Sequence, residues 1–379
     1  MKSKFRKHEP DFYILFSTIM LVFIGVIMVY SASSPKALLE FGDALYFFKR
    51  QFIWAILGLI TMIVLMNIDY HIWKKHSTLI YVFTIILGLL IFTPLGIELK
   101  GARRWLNLGF TTFMPSDAIK LGSIIFFASF LENKKEKVSS LKDGLIPAFL
   151  VIGLSTGLVY LQKDLSTSIT VAGTMLSMYF IAGMPYYVFI ISGVLATIFI
   201  RVAIYSEGNE YRLERIKSFR DPFADKLGDG YQIVQSLYAL GSGGLFGVGL
   251  GKSKQKFFYI PEAYNDFIFS IIGEELGLVG TTFILALYAI IIFRAFNVAK
   301  NSNDKFAFFV SCGIGSLIAI QAFMNIAVVT SSIPPTGINL PFISSGGTSL
   351  IFYLASIGIL LNISRYTKIG GSKKNEHNS

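Results

Sequence analysis

The chain has 379 residues, 53% of them hydrophobic and 15% charged, with a formal net charge of +11 and a mean hydropathy of +0.61. That balance excludes an ordinary soluble domain and points to a membrane protein. A single cysteine, Cys312, and four histidines, at 8, 71, 76 and 377, argue against an intrachain disulfide, a histidine zinc site or a Ser-His-Asp triad, which leaves proton transfer to a carboxylate, lysine or tyrosine.

Apolar stretches of membrane-crossing length, about 17 to 25 residues, fall at 11–32, 50–68, 78–96, 115–132, 145–161, 165–183, 186–204, 266–294, 306–330 and 343–364. The sequence therefore predicts an all-α polytopic membrane protein of about ten transmembrane helices. The first stretch follows the basic "MKSKFRKHEPD" and ends in "YSASS", like a secretory signal, but its apolar core of about twenty residues suits an uncleaved helix. Cys312 lies in the ninth stretch, as lipid-facing or packing filler.

Alternate loops carry 17 Lys and Arg on each side. Nine of one set sit in the segment from Arg201 to Lys256, and segments of that length translocate largely regardless of charge. Setting it aside places both termini in the cytoplasm. The domains expected are a cytoplasmic tail 1–10, a membrane domain 11–364 with an extracytoplasmic loop 205–265 between helices seven and eight, and a cytoplasmic tail 365–379. Basic charge divided between two faces, with no recognition motif, excludes nucleic acid. On the outer face it suits an anionic, phosphate-bearing partner.

Polar clusters follow in chain order on that face. "KGARRWLNLG" brings Arg103, Arg104 and Trp105 to the interface, as a pyrophosphate clamp or as snorkelling anchors. "MPSDAIKLG" starts a helix on which Asp117 and Lys120, three apart, can pair inside the membrane. In "QKDLSTS", Asp164 caps the next helix or points with Lys163 into a cavity. "YRLERIKSFRDPF" spaces Leu213, Ile216 and Phe219 three apart, as in a helix on the membrane surface or one packed on the bundle. "GSGGLFGVGLG", residues 241–251, permits close backbone approach or a re-entrant loop.

"FFYIPEAYNDFIFSIIGEELG" holds Glu262, Asp266, Ser270 and Glu274 at intervals of four, which predicts one inward-facing stripe on a helix starting near Pro261. Asp266 at its outer mouth combines water access with an apolar wall, as a general base requires. Glu274 and Glu275 lie deeper and suit pairing with a buried cation or backbone donors. Gly273 and Gly277 let a neighbour approach. In "PPTGINLPFISSGGTS", Ser344, Ser345, Gly346, Gly347 and Thr348 offer backbone N–H groups at a helix start, or small-residue packing.

Taken together, "MVYSASS", "KGARRW", "MPSDAIKL", "QKDLST", "GYQIVQSLYALGSGGLFGVGLG", "PEAYNDFIFSIIGEELG" and "LPFISSGGTS" resemble the SEDS family (shape, elongation, division and sporulation) of peptidoglycan glycosyltransferases, with FtsW, RodA and SpoVE as branches. "MVYSASS" and "TGINLPFIS" lean toward FtsW and SpoVE. The resemblance implies ten transmembrane helices and polymerisation of lipid II, an undecaprenyl-pyrophosphate disaccharide pentapeptide, at the outer face of the bacterial cytoplasmic membrane. It makes Asp266 the essential residue, activating the acceptor hydroxyl or acting with a divalent cation, magnesium or manganese. The motif matching Arg103, Arg104 and Trp105 is functionally sensitive in the family. Lys120, Lys163, Asp164, Glu262, Ser344, Ser345 and Gly346 are further candidates to bind substrate, while Asp117, Glu274 and Glu275 give support. Arg103, Arg104, Lys163 and Lys252 to Lys256 would stabilise the leaving pyrophosphate.

This chain departs from the family pattern where Tyr264-Asn265-Asp266 replaces His-Thr-Asp, Lys163 a proline, Asp117 a glutamate and Ser345 a tyrosine. The implied partners are a class B penicillin-binding protein, which crosslinks the strands, and proteins of a division or elongation complex. Two other classes fit the charged cavity: a lipid II transporter, disfavoured by the lack of an inverted repeat, and a non-catalytic scaffold for a transpeptidase.

Overall fold

The computed structural model describes residues 8–99, 102–107, 109, 111–205, 210–223, 230–261 and 263–367. Glu262 lies outside them, as do the side chains of Arg212, Leu213 and Lys217. Among the described residues the helices are α1 (Phe12–Phe41), α2 (Tyr46–Asn67), α3 (His71–Lys75), α4 (Ser77–Leu90), α5 (Pro115–Lys134), α6 (Ile146–Leu161), α7 (Leu165–Ile181), α8 (Tyr186–Tyr205), α9 (Glu210–Arg220), α10 (Tyr231–Gly243), α11 (Ile268–Lys300), α12 (Lys305–Val329) and α13 (Thr348–Ser364).

Each of the ten apolar stretches overlaps one helix: α1, α2, α4 to α8 and α11 to α13. Six helical segments are long and apolar enough to cross a bilayer, namely α1, α2, Leu141–Leu161, α8, α11 and α12, while α4, α7 and α13 are shorter and apolar. The chain is a polytopic helical membrane protein. α1 is capped by Asp11, which accepts from Tyr13 and Ile14 N–H, and runs to Gly42, left-handed at φ 68°. The "YSASS" segment lies inside this helix with Ser31, Ala32 and Ser33 buried. Cys312 is buried in α12, which makes it packing rather than lipid-facing.

The basic segment before α5 departs from the all-helical expectation. It forms a small antiparallel sheet of β1 (Gly96–Leu99), β2 (Ala102–Asn107) and β3 (Thr112–Phe113), in that order, with Glu98 opposite Arg103 and Ile97 opposite Trp105. β2 alternates at its two ends, Ala102 and Leu106 being buried beside exposed Arg103 and Asn107, while Arg104 and Trp105 between them are both half-buried, a pattern masked in the sequence by the surrounding charge. α9 forms as a helix, and its Arg215 donates to the Pro335 carbonyl at 3.2 Å, so it packs onto the bundle's loops.

α11 is broken at Gly277, where φ is 66° and ψ is −165°. A break in a membrane helix frees backbone groups that lipid cannot satisfy. The glycine-rich segment after α10 takes them up: Val248 N–H donates to the Glu274 carbonyl (2.9 Å) and Gly249 N–H to that of Glu275 (3.1 Å). In return, Leu278 N–H donates to Gly244 (2.9 Å) and Val279 N–H to Leu245 (3.1 Å). Such contact demands bare backbone, because a Cβ on Gly247, itself at φ 78°, would lie 2.1 Å from the Glu275 carbonyl oxygen. Of the 241–251 run, the 244–249 segment is a splint for the broken helix.

The two acids before the break clasp the next stretch of the same loop. Glu275 accepts from Gly251 N–H (2.9 Å), Ser253 N–H (3.2 Å), Ser31 Oγ of α1 (2.7 Å) and Lys256 Nζ (3.0 Å). Glu274 accepts from Lys254 N–H (2.8 Å) and from Ser253 Oγ. Lys256 and Glu275 are both shielded from solvent, and the ammonium also donates to the Gly251 carbonyl.

At the opposite end of the bundle, ionic and hydrogen bonds tie α1 to α11 and the loop before α3 to the head of α12. Arg294 binds Asp11, and Tyr70 OH donates to Asp304 at 2.5 Å. Burial, then that hydrogen bond, pushes the Tyr70 phenol well above its usual pKa.

Two stability predictions follow from the splint and the clasp. Gly247→Ala should lower the thermal midpoint in detergent by the equivalent of about 2–5 kcal/mol. Gly241→Ala, in α10 with open space around its Cβ, should leave it unchanged or raise it slightly. Lys256→Met strands Glu275 without its cation and should cost about 3–5 kcal/mol by the same measurement.

Candidate functional site

Asp266 is half-buried on a turn just before α11, which starts at Ile268 and not near Pro261. The expected stripe of Glu262, Asp266, Ser270 and Glu274 on one helix face is therefore corrected. Carbonyls that a helix would use internally are claimed by other parts of the fold. Ser345 N–H donates to the Tyr264 carbonyl (3.0 Å), Ser344 Oγ to that of Asn265 (2.7 Å), and Asn325 Nδ2 to that of Asp266 (2.7 Å). Long-range hydrogen bonds override the local helical pattern here. Ser270 and Glu274 are buried on α11 itself.

The opposite wall is the loop between α12 and α13. Gly337 there has φ 71°, and a Cβ on it would lie 3.8 Å from Asp266 Oδ2, so the carboxylate faces bare backbone. Three buried amides hold this loop by its carbonyls: Asn325 Nδ2 to Ile338 (2.7 Å), Gln321 Nε2 to Asn339 (3.2 Å) and Gln51 Nε2 to Ser344 (3.3 Å). Ser344 and Ser345 accordingly serve the fold. Their N–H groups are committed to the Leu340 and Tyr264 carbonyls, which removes both from the expected row of free helix-start donors. Gly346 stays half-buried beside them, its carbonyl accepting from Ser349 N–H.

A second arm of contacts leads from the sheet to this loop. Arg104 on β2 donates to the Lys163 carbonyl, Asp164 follows, and Ser166 Oγ in the first turn of α7 donates to the Thr336 carbonyl at 2.8 Å. Gly337 is the next residue. Asp164 caps α7 with both oxygens, accepting from Thr167 N–H (3.0 Å) and Thr167 Oγ1 (2.8 Å). Lys163 is exposed and left-handed at φ 58°, a conformation closed to the proline usual in the family. Arg103 is exposed and pairs with Glu98 at 3.2 Å, while Trp105 is half-buried on β2.

Lys120 takes the intramembrane pairing that its spacing from Asp117 allowed, and Lys256 is placed differently from expectation. Lys120 is buried in α5, 2.9 Å from Asp117, and Asp117 accepts from Ser349 Oγ of α13 at 2.6 Å. This pair braces α5 against α13 inside the bundle instead of facing substrate. Lys256 is held by Glu275, so of the lysines at 252, 254 and 256 only Lys252 and Lys254 are exposed. Asn325, Gln321 and Gln51 escaped the sequence reading. Polar side chains at i and i+4 in an otherwise apolar α12 are the signal that could have found the first two.

Comparisons with known proteins show the family and the fold. A family model described as "Cell cycle protein", covering FtsW, RodA and SpoVE, matches residues 12–369. Stage V sporulation protein E of Bacillus subtilis is 42% identical over 365 residues, 96% of this chain and 99% of that protein. The probable peptidoglycan glycosyltransferase FtsW of Trichlorobacter lovleyi is 40% identical, covering 97% of each. Among solved structures, a chain from "Structural coordination of polymerization and crosslinking by a peptidoglycan synthase complex" is 26% identical with a TM-score of 0.77, covering 94% of this chain and 98% of that one. The rod shape determining protein RodA of Thermus thermophilus is 25% identical with a TM-score of 0.69, covering 95% and 98%. With the family model spanning nearly its whole length, and relatives 40% and 42% identical over at least 96% of the chain, this chain belongs to the FtsW/RodA/SpoVE family.

Proposed function

We propose that this protein is a peptidoglycan glycosyltransferase that polymerises lipid II at the outer face of the bacterial cytoplasmic membrane, with both termini in the cytoplasm. The enzyme class is supported by relatives named as probable peptidoglycan glycosyltransferases over nearly the full chain. The observation that carries the site assignment is Asp266, a half-buried carboxylate at the head of α11 facing the bare backbone of Gly337.

In the reaction, Asp266 takes the proton of an acceptor sugar hydroxyl as that oxygen attacks the anomeric carbon of the donor. The bond from that carbon to the pyrophosphate oxygen breaks, and the electron pair leaves with the lipid pyrophosphate. Arg104 and Arg103, on the strand joined to Lys163, supply positive charge for it. Among the described residues no three His, Cys, Asp or Glu side chains converge. Asp266 fits a magnesium or manganese ion only in the manner of sites that take one carboxylate and fill the remainder with water and substrate phosphate. Such an ion, when bound, would neutralise charge on the pyrophosphate.

The linear product needs peptide crosslinks, which a class B penicillin-binding protein would supply. The likeness to a chain of a complex that couples polymerization and crosslinking supports this pairing, and the FtsW and SpoVE relatives favour a setting in division or sporulation.

Purified protein with its class B partner, labelled lipid II and a divalent cation should yield size-resolved polymer, and folded Asp266→Ala should yield none. Polymer from Asp266→Ala would overturn the assignment of Asp266. No polymer from either, beside an active family member, would favour transport or scaffolding.

A further inference from the structure

We propose that Asn325 of α12 is a positioning residue for Asp266, setting the carboxylate against the Gly337 wall. This rests on the reading of Asp266 as the reacting carboxylate. Asn325 is 1% exposed, and its Nδ2 spends one hydrogen on the Asp266 carbonyl and the other on that of Ile338, each at 2.7 Å. The first bond holds the turn bearing Asp266, and the second holds the residue next to Gly337. One planar amide therefore sets the spacing of the two walls.

The helix does not do this itself. Ser270 N–H turns back to the Phe267 carbonyl at 3.1 Å, so α11 takes Phe267 as its first acceptor and leaves the Asp266 carbonyl to α12. Phe267, as N-cap, offers no side-chain hydrogen bond to stiffen the start. Reversing the amide would set Oδ1 against two carbonyl oxygens, so the orientation is determined. Gln321, one turn away on the same face, repeats the grip on Asn339. A displacement of about 1 Å at a reacting group can cost on the order of 100-fold in rate. Asn325, which does not touch substrate, should act on turnover and not on binding.

The test uses the full chain with its class B partner and labelled lipid II, with Asp266→Asn in parallel. Asn325→Leu, similar in size without donors, should reduce kcat about 100-fold with KM within about threefold of wild type. Asn325→Asp keeps the shape, but its anion donates nothing and its neutral acid donates once, so its kcat relative to wild type should rise as pH falls from 8 to 6. That rise is not expected of a residue that only fills space, and it decides the matter if Asn325→Leu does not fold. Wild-type kcat in Asn325→Leu, a loss confined to KM, or an Asn325→Asp profile parallel to wild type would overturn the proposal. If Asp266→Asn polymerises normally, the reading of Asp266 itself has failed. If Asp266→Asn is dead while the Asn325 variants are normal, only the positioning role has failed.

Discussion

The interruption of α11 at Gly277 is the constraint around which the loop-bearing half of the molecule is built. Two carbonyls and two amides are released at membrane depth, and lipid offers them no partner. The 244–249 segment returns four backbone hydrogen bonds, and close approach to the helix forces glycine at Gly247. Because the splint must descend beside α11, the loop that follows it lies within reach of Glu274 and Glu275, and their carboxylates hold its backbone through Gly251, Ser253 and Lys254. The buried acids are thus tolerable because each is wrapped in donors, with Lys256 balancing one of them.

Asp266 gains its setting from the same economy of backbone groups. The turn at 264–266 escapes the helix because Ser345, Ser344 and Asn325 claim its carbonyls. The 331–347 loop that supplies two of those donors is itself gripped from α2, α7, α9 and α12, through Gln51, Ser166, Arg215, Gln321 and Asn325. A carboxylate on a loop acquires the rigidity of a site built on helices, which chemistry at one fixed atom requires. Arg104 enters through the Lys163 carbonyl at the far end of the same chain of contacts.

The helices were legible because apolar runs of bilayer length have few alternatives, and every run became one. The start of α11 was not, since the hydrogen bonds that end it come from residues about sixty to eighty positions away, beyond any local window. The strands of β1 to β3 were hidden by their shortness and by the charge of Arg103 and Arg104. Asp266 could be singled out from its place at the membrane boundary and from the family resemblance. The commitment of Lys120 to Asp117 and Lys256 to Glu275 could not be settled from spacing, because a lysine looks the same whether it awaits an anion or already has one. Polar residues within apolar helices, such as Gln321 and Asn325, carried more information than their unremarkable surroundings suggested.

The contacts of α1 bear on how the chain is made. Its N-terminal end is bound by Arg294 through Asp11, its C-terminal half by Glu275 through Ser31, and the residue His8 before it by Arg365. All three partners are synthesised after most of the polypeptide has left the ribosome. The first helix to enter the membrane must therefore wait, held only by its apolar surface, until the last third of the chain arrives to complete its polar contacts. Assembly of this protein closes late: a nascent chain stopped before Glu275 lacks the side chains that anchor its own beginning.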